Sequence, residues 1–257
     1  MASFSSSLAH FLFIVTISSF SFACTSSETP VSMVKVLDCL PKENSTQYKD
    51  ISLQNYTYTR GQMMFNPQNI RLGGQYIVPP LRPTPKTSKG LHLHVSVDNQ
   101  QHELSNNNIF DYPLEDGHYH LFAFLADAYY ESIKEPNAIV GKYIKINKGN
   151  LAASRPIEQV ALLYNIPIGE HEVTEKDSVL LDFVLYGTEL EEQGNYVTLI
   201  INEQEPVRLE KWQPYYLTGF TKGQHQLILT LYNAQGKAIA PPVKNIFTVK
   251  NPTENSK

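Results

Sequence analysis

Four of the chain's eight histidines lie in two His-x-His pairs, His92/His94 and His118/His120. On an extended strand, residues two apart point to the same side. Each pair therefore presents two imidazoles together, a ligand geometry suited to Zn or Cu. Neighbouring residues set the direction. Leu91, Leu93, Val95 and Val97 alternate with His92, His94, Ser96 and Asp98. The aliphatic phase must face a core, so the histidine phase is expected to point outward. Around the second pair, Tyr119, Leu121, Ala123 and Leu125 form the inward phase, and His118, His120, Phe122 and Phe124 the outward one.

Two such strands would be antiparallel neighbours of one sheet. His92 and His94 then lie near Phe124 and Phe122, and His118 and His120 near Asp98 and Ser96. Register thus separates the two pairs, and the metal reading contracts to His118 or His120 with Asp98. The plain alternative is a polar–aromatic sheet face packed against the N-terminal segment or the second half. Phe122 and Phe124 offer a platform for a peptide or a glycan. The following segment presents Tyr129, Tyr130, Glu131 and Lys134, a second candidate recognition element. No Gly-x-Ser-x-Gly, His-Glu-x-x-His, phosphate loop or dinucleotide fingerprint occurs. The expectation is a non-enzymatic protein with no cofactor unless the histidine face holds Zn or Cu.

The elements around these residues repeat. Gly90–Gln100 matches Gly194–Gln204 as a glycine turn, an alternating strand and a polar turn. Gly117–Leu125 matches Gly223–Leu231, and the strand Val140–Ile146 matches Val243–Val249. The matches lie roughly 105 residues apart, about one domain length, which indicates duplication of a domain. Short strands broken by Gly, Pro and Asn turns predict an all-β chain of two tandem immunoglobulin/fibronectin-III-like sandwiches, over 31–148 and 149–250, with a tail over 251–257. Hydrophobic residues reach 42% and charged residues 18%, which excludes disorder and coiled coil. The net charge of −4, with no basic run, argues against a nucleic-acid partner. Two cysteines exclude a disulfide scaffold.

Residues 1–27 contain no Asp, Glu, Lys or Arg, and an apolar run, Phe11–Ile17, precedes small residues ending at Ala23-Cys24. That pattern predicts a signal peptide over 1–23, too short for a membrane span. Ala-Cys followed by the polar tether 24–30 looks like a lipoprotein processing site, with Cys24 lipidated. Ser21 departs from the usual leucine there, which leaves open a plain signal peptide cut nearby. Cys39 is then a buried free thiol, or the partner of Cys24 in a disulfide.

Several segments carry a resemblance. Leu91–Asn99, Leu114–Tyr119, Tyr130-Glu131-Ser132-Ile133-Lys134, Leu162-Leu163-Tyr164, Val179–Leu185 and Lys211-Trp212-Gln213-Pro214-Tyr215 are similar to a recurring pattern in uncharacterised exported bacterial proteins with two tandem immunoglobulin-like domains. The resemblance spans roughly residues 88–250. It implies export and fold, and no mechanism. The expectation is an envelope protein, membrane-anchored or periplasmic, with a peptide, a glycan or another envelope protein as partner.

Overall fold

The computed structural model describes residues 34–38, 48, 50–75, 86–98, 103–173 and 177–251. The leader, Cys24, the tether, Cys39 and residues 252–257 lie outside the described residues. The fold is all-β. The first half contains β1 (Lys35–Asp38), β2 (Tyr56–Thr59), β3 (Gln62–Phe65), β4 (His92–Val97), β5 (Glu103–Ser105), β6 (Ile109–Asp111), β7 (Gly117–Ala126), β8 (Ile139–Asn147) and β9 (Asn150–Pro156). The second half contains β10 (Ala161–Ile166), β11 (Gly169–Glu172), β12 (Ser178–Tyr186), β13 (Tyr196–Ile201), β14 (Val207–Leu209), β15 (Tyr215–Thr218), β16 (Gly223–Tyr232) and β17 (Val243–Lys250).

One eight-stranded sheet runs β5-β4-β7-β8-β9-β2-β3-β6. It folds back on itself beyond β8, where the β8–β9 ladder slips register between Lys145 and Ile146. Leu93 and Val95 of β4, Leu121, Ala123 and Leu125 of β7, and Val140 and Ile144 of β8 thereby meet Tyr58, Met63 and Phe65 of β2 and β3 in one core. The second half closes a four-stranded sheet, β1-β15-β12-β10, over a five-stranded one, β11-β17-β16-β13-β14. Between them lie Leu181 and Phe183 of β12, Leu199 of β13, Leu229 and Leu231 of β16, and Phe247 of β17. Both cores follow the alternation that places every second side chain inward.

Two strands cross the expected boundary at 148/149. β9 continues the first half's sheet, because Lys148 and Gly149 both adopt positive φ (50° and 67°) and close a two-residue hairpin with β8. β1 leaves its neighbours and pairs with β15, Lys35 opposite Thr218.

Corresponding turns of the two halves share hydrogen-bond patterns. The Asp127 carboxylate accepts the backbone N–H groups of Tyr129 and Glu131, and Asn233 accepts those of Gln235 and Lys237. Tyr130 in the first turn and Gly236 in the second hold the same left-handed position, at φ 63° and 76°. Asp98 and Asn202 likewise match, at φ 50° and 47°, each accepting a backbone N–H from the following long strand.

For the histidine pairs the exposed reading fails on β4, where the plain alternative of a face packed against the second half applies. β4 and β7 are antiparallel neighbours, as alternation requires. His92, His94 and Ser96 do lie opposite the aliphatic phase, but they are not exposed: all six residues of β4 are buried. The outer face of β4, β7 and β8 is covered by the outer face of β10 and β12. Phe122, Phe124 and Ile139 pack there on Leu163 and Val184. Along β7 the cover ends abruptly, since residues 121–126 are buried while His118 and His120 are exposed. Register also sits two residues from the simplest expectation, with His94 opposite Phe124 and Ser96 opposite Phe122.

Candidate functional site

The candidate residues sort into three places. The first is a buried imidazole pair. His92 is 0% and His94 3% exposed. His92 Nδ1 lies 2.8 Å from Gly90 O, a carbonyl that can only accept, so Nδ1 carries the proton. The neutral ring then accepts at Nε2, and His94 Nε2–H donates to it at 3.0 Å. Phe124 stacks on His94 at 4.6 Å, and Tyr130 meets His92 edge-on at 5.3 Å. Burial pulls the His92 pKa below the ordinary histidine value, and Lys89 adds to the effect, while the Gly90 hydrogen bond opposes it.

The second place is where the uncovered end of β7 reaches solvent. His120 N–H donates to Asp98 Oδ1 at 2.7 Å, and the His120 ring reaches the same oxygen at 3.3 Å. Register sets Tyr143 of β8 opposite His120, and Arg155 of β9 opposite Tyr143. His118 stacks near-parallel with Tyr143 at 5.7 Å, His120 meets Tyr143 edge-on at 5.3 Å, and the Arg155 guanidinium sits 4.6 Å from the Tyr143 ring centre. The result is an aromatic–basic strip across three adjacent strands. Tyr143 and Arg155 were missed in the sequence. Carrying the His118/His120 parity through the β8 hairpin partner would have found Tyr143. Among the described residues no group of three or more His, Cys, Asp or Glu is arranged to hold a metal ion.

The third place gathers the 127–134 loop. Glu131 and Lys134 do not project from it as a recognition surface. The turn held by Asp127 folds Glu131 inward, to 7% exposure, and carries Lys134 onto β12. Lys134 Nζ donates to Asp182 Oδ1 (2.6 Å), Ser132 Oγ (2.6 Å) and Phe183 O (2.7 Å). Asp182 is fully buried, and its Oδ2 accepts from Ser132 N–H at 3.1 Å and Asn165 Nδ2 at 2.8 Å. Asn165 also donates to Tyr130 O at 2.6 Å. The Trp212 and Phe183 rings lie 5.4 Å and 5.7 Å from Nζ, and Trp212 Nε1 donates to Phe183 O. Burial drives the Lys134 pKa below the usual lysine range, against the upward pull of Asp182, Glu131 and Asp127. Three of the segments that carried the family resemblance, 130–134, 179–185 and 211–215, therefore meet at one point. The signal for Asp182 was available: it is the one charge inside Val179–Leu185, a strand apolar on both faces and hence covered on both.

No family model matches the chain, and no curated protein matches it. Among solved structures, it is similar to the fibronectin(III)-like modules of Clostridium thermocellum CbhA, at 12% identity over 36% of this chain and 100% of that one, with a TM-score of 0.30. It is also similar to the Bacteroides ovatus mixed-linkage glucan utilization locus protein SGBP-B, solved with a mixed-linkage heptasaccharide, at 11% identity over 85% of this chain and 70% of that one, with a TM-score of 0.17. The fold assignment here rests on the sheets themselves.

Proposed function

We propose that the protein is a non-enzymatic, exported binding module of the bacterial cell envelope, held to a membrane by lipid on Cys24, and that the strip of Asp98, His118, His120, Tyr143 and Arg155 is its ligand surface. The observation that carries this reading is the juxtaposition of those side chains on an exposed stretch of sheet beside a fully covered one. Aromatic rings exposed on a sheet face match the apolar faces of sugar rings, while Arg155 and Asp98 supply directional hydrogen bonds at the edges. The ligand class that fits is an extended glycan chain lying across β7, β8 and β9.

A glycan array with the purified chain, followed by calorimetry on the best oligosaccharide, tests the reading. The Tyr143→Ala/Arg155→Ala double variant is expected to weaken binding at least about tenfold, equivalent to ~1.4 kcal/mol. Unchanged affinity would move the ligand surface elsewhere. The anchor has its own test. Labelled palmitate should enter the protein in bacterial cells and be lost in Cys24→Ser; label that persists refutes the lipid anchor. A lone acyl chain binds weakly, so the processing reading implies more than one chain on that terminus.

A further inference from the structure

The Lys134–Asp182 contact has the parts of a reaction centre as well as those of an ion pair. A lysine ammonium touches a carboxylate with no exposed surface, at 2.6 Å. The far carboxylate oxygen, Oδ2, is gripped by two N–H donors, from Ser132 and Asn165. That arrangement is the one that stabilises negative charge developing on a carbonyl oxygen. The Ser132 hydroxyl lies 2.6 Å from Nζ, and the Phe183 and Trp212 rings flank the amine. Nucleophile and electrophile come from distant parts of the chain and are held together by strands on either side, which is the condition for a high effective molarity.

We propose that Lys134 and Asp182 condense into an intramolecular isopeptide bond, covalently joining the 127–134 loop to β12. The step balances without a co-reactant. Nζ gives one proton to Oδ1 across the contact, leaving a neutral amine and a carboxylic acid. Burial favours this transfer because it removes two charges from an apolar surrounding. The Nζ lone pair attacks Cγ, the new N–C bond forms, and the C=O electron pair moves to Oδ2 against the two N–H donors. A second proton leaves the nitrogen through Ser132 Oγ to Oδ1. The C–Oδ1 bond breaks, and Oδ1 departs as water. The carbonyl re-forms at Oδ2, and one proton remains on the amide nitrogen. Glu131 and Asp127 favour the protonated amine through their charges and so oppose the first transfer, which burial drives, and Asn165 is a positioning residue for Oδ2.

The test is peptide mapping of the full chain, folded, purified and then denatured, with two proteases of different specificity. The expected result is a branched peptide joining the sequence around Lys134 to that around Asp182, lighter than the two separate peptides by one water. Most of the unmodified Lys134 peptide should be lost. Lys134→Arg should abolish the branch, since a guanidinium is not a nucleophile at neutral pH. Asn165→Ala, which leaves both reacting groups in place, should slow its appearance after refolding. Unbranched Lys134 and Asp182 peptides at their sequence masses, in the aged unmodified-sequence protein, overturn the proposal whatever the variants do. A branch from Lys134 to any other carboxyl overturns it too.

Discussion

The buried imidazole pair sets a pH dependence at the level of single atoms. In the folded chain both His92 nitrogens are committed: Nδ1–H to Gly90 O and Nε2 to His94. Protonating His92 would set two N–H groups face to face. The unfolded chain keeps the ordinary histidine value of about 6.5, whereas the folded value is depressed by burial. Below about 6.5 the unfolded state therefore binds a proton that the folded state refuses, and stability falls with pH until the folded value is passed. Above that range the contribution is fully present. Urea midpoints measured between pH 7.5 and 5 should decline, and His92→Gln should flatten the decline. Chemistry of this kind was only half legible. Alternation gave which side of β4 each imidazole takes. It left open whether the N-terminal segment or the second half covers that side, because the covering residues, Leu163 and Val184, lie beyond the hairpin that closes the first half.

Among the elements, β8 shows how closely the covering strand approaches. A Cβ on Gly141 would come within 2.7 Å of the Tyr186 ring of β12. The Tyr186 hydroxyl donates to Gly141 O and Ile157 O. Gly141→Val should therefore overpack this junction and lower stability by about 1–3 kcal/mol. Denaturant unfolding followed by the fluorescence of the single tryptophan, Trp212, reads it directly, since that ring lies beside the same junction. The strands of the two halves were legible as alternating runs: β4, β7, β13 and β16 all start and stop within a residue or two of their patterns. Membership of sheets was not. The segment Asn147–Asn150 reads as a boundary by composition, yet its two positive-φ residues make it a turn within one sheet. The short run of β1 carries nothing that names β15 as its partner.

In the whole molecule, the two sandwiches meet through apolar residues, and the Lys134–Asp182 contact also joins them. Phe122, Phe124, Ile139, Leu163 and Val184 exclude water around the junction. Burying such a face couples the halves, so they are expected to unfold in one transition. Val184→Asp would place a carboxylate with no partner among these residues and should split the melting curve into two transitions, checked by calorimetry. A single transition in that variant would mean the halves are coupled by something other than this contact.

The pairing of β1 with β15 carries a further consequence. Lys35–Asp38 and its partner Tyr215–Thr218 stand far apart along the chain, with β2 to β14 between them. That long loop must therefore close before the four-stranded sheet can gain its outermost rung. Until then one rim of β15 stands bare, a ready template for a strand from another molecule. Folding of this protein is thus least protected before that closure, and β1 is the piece that ends the exposure.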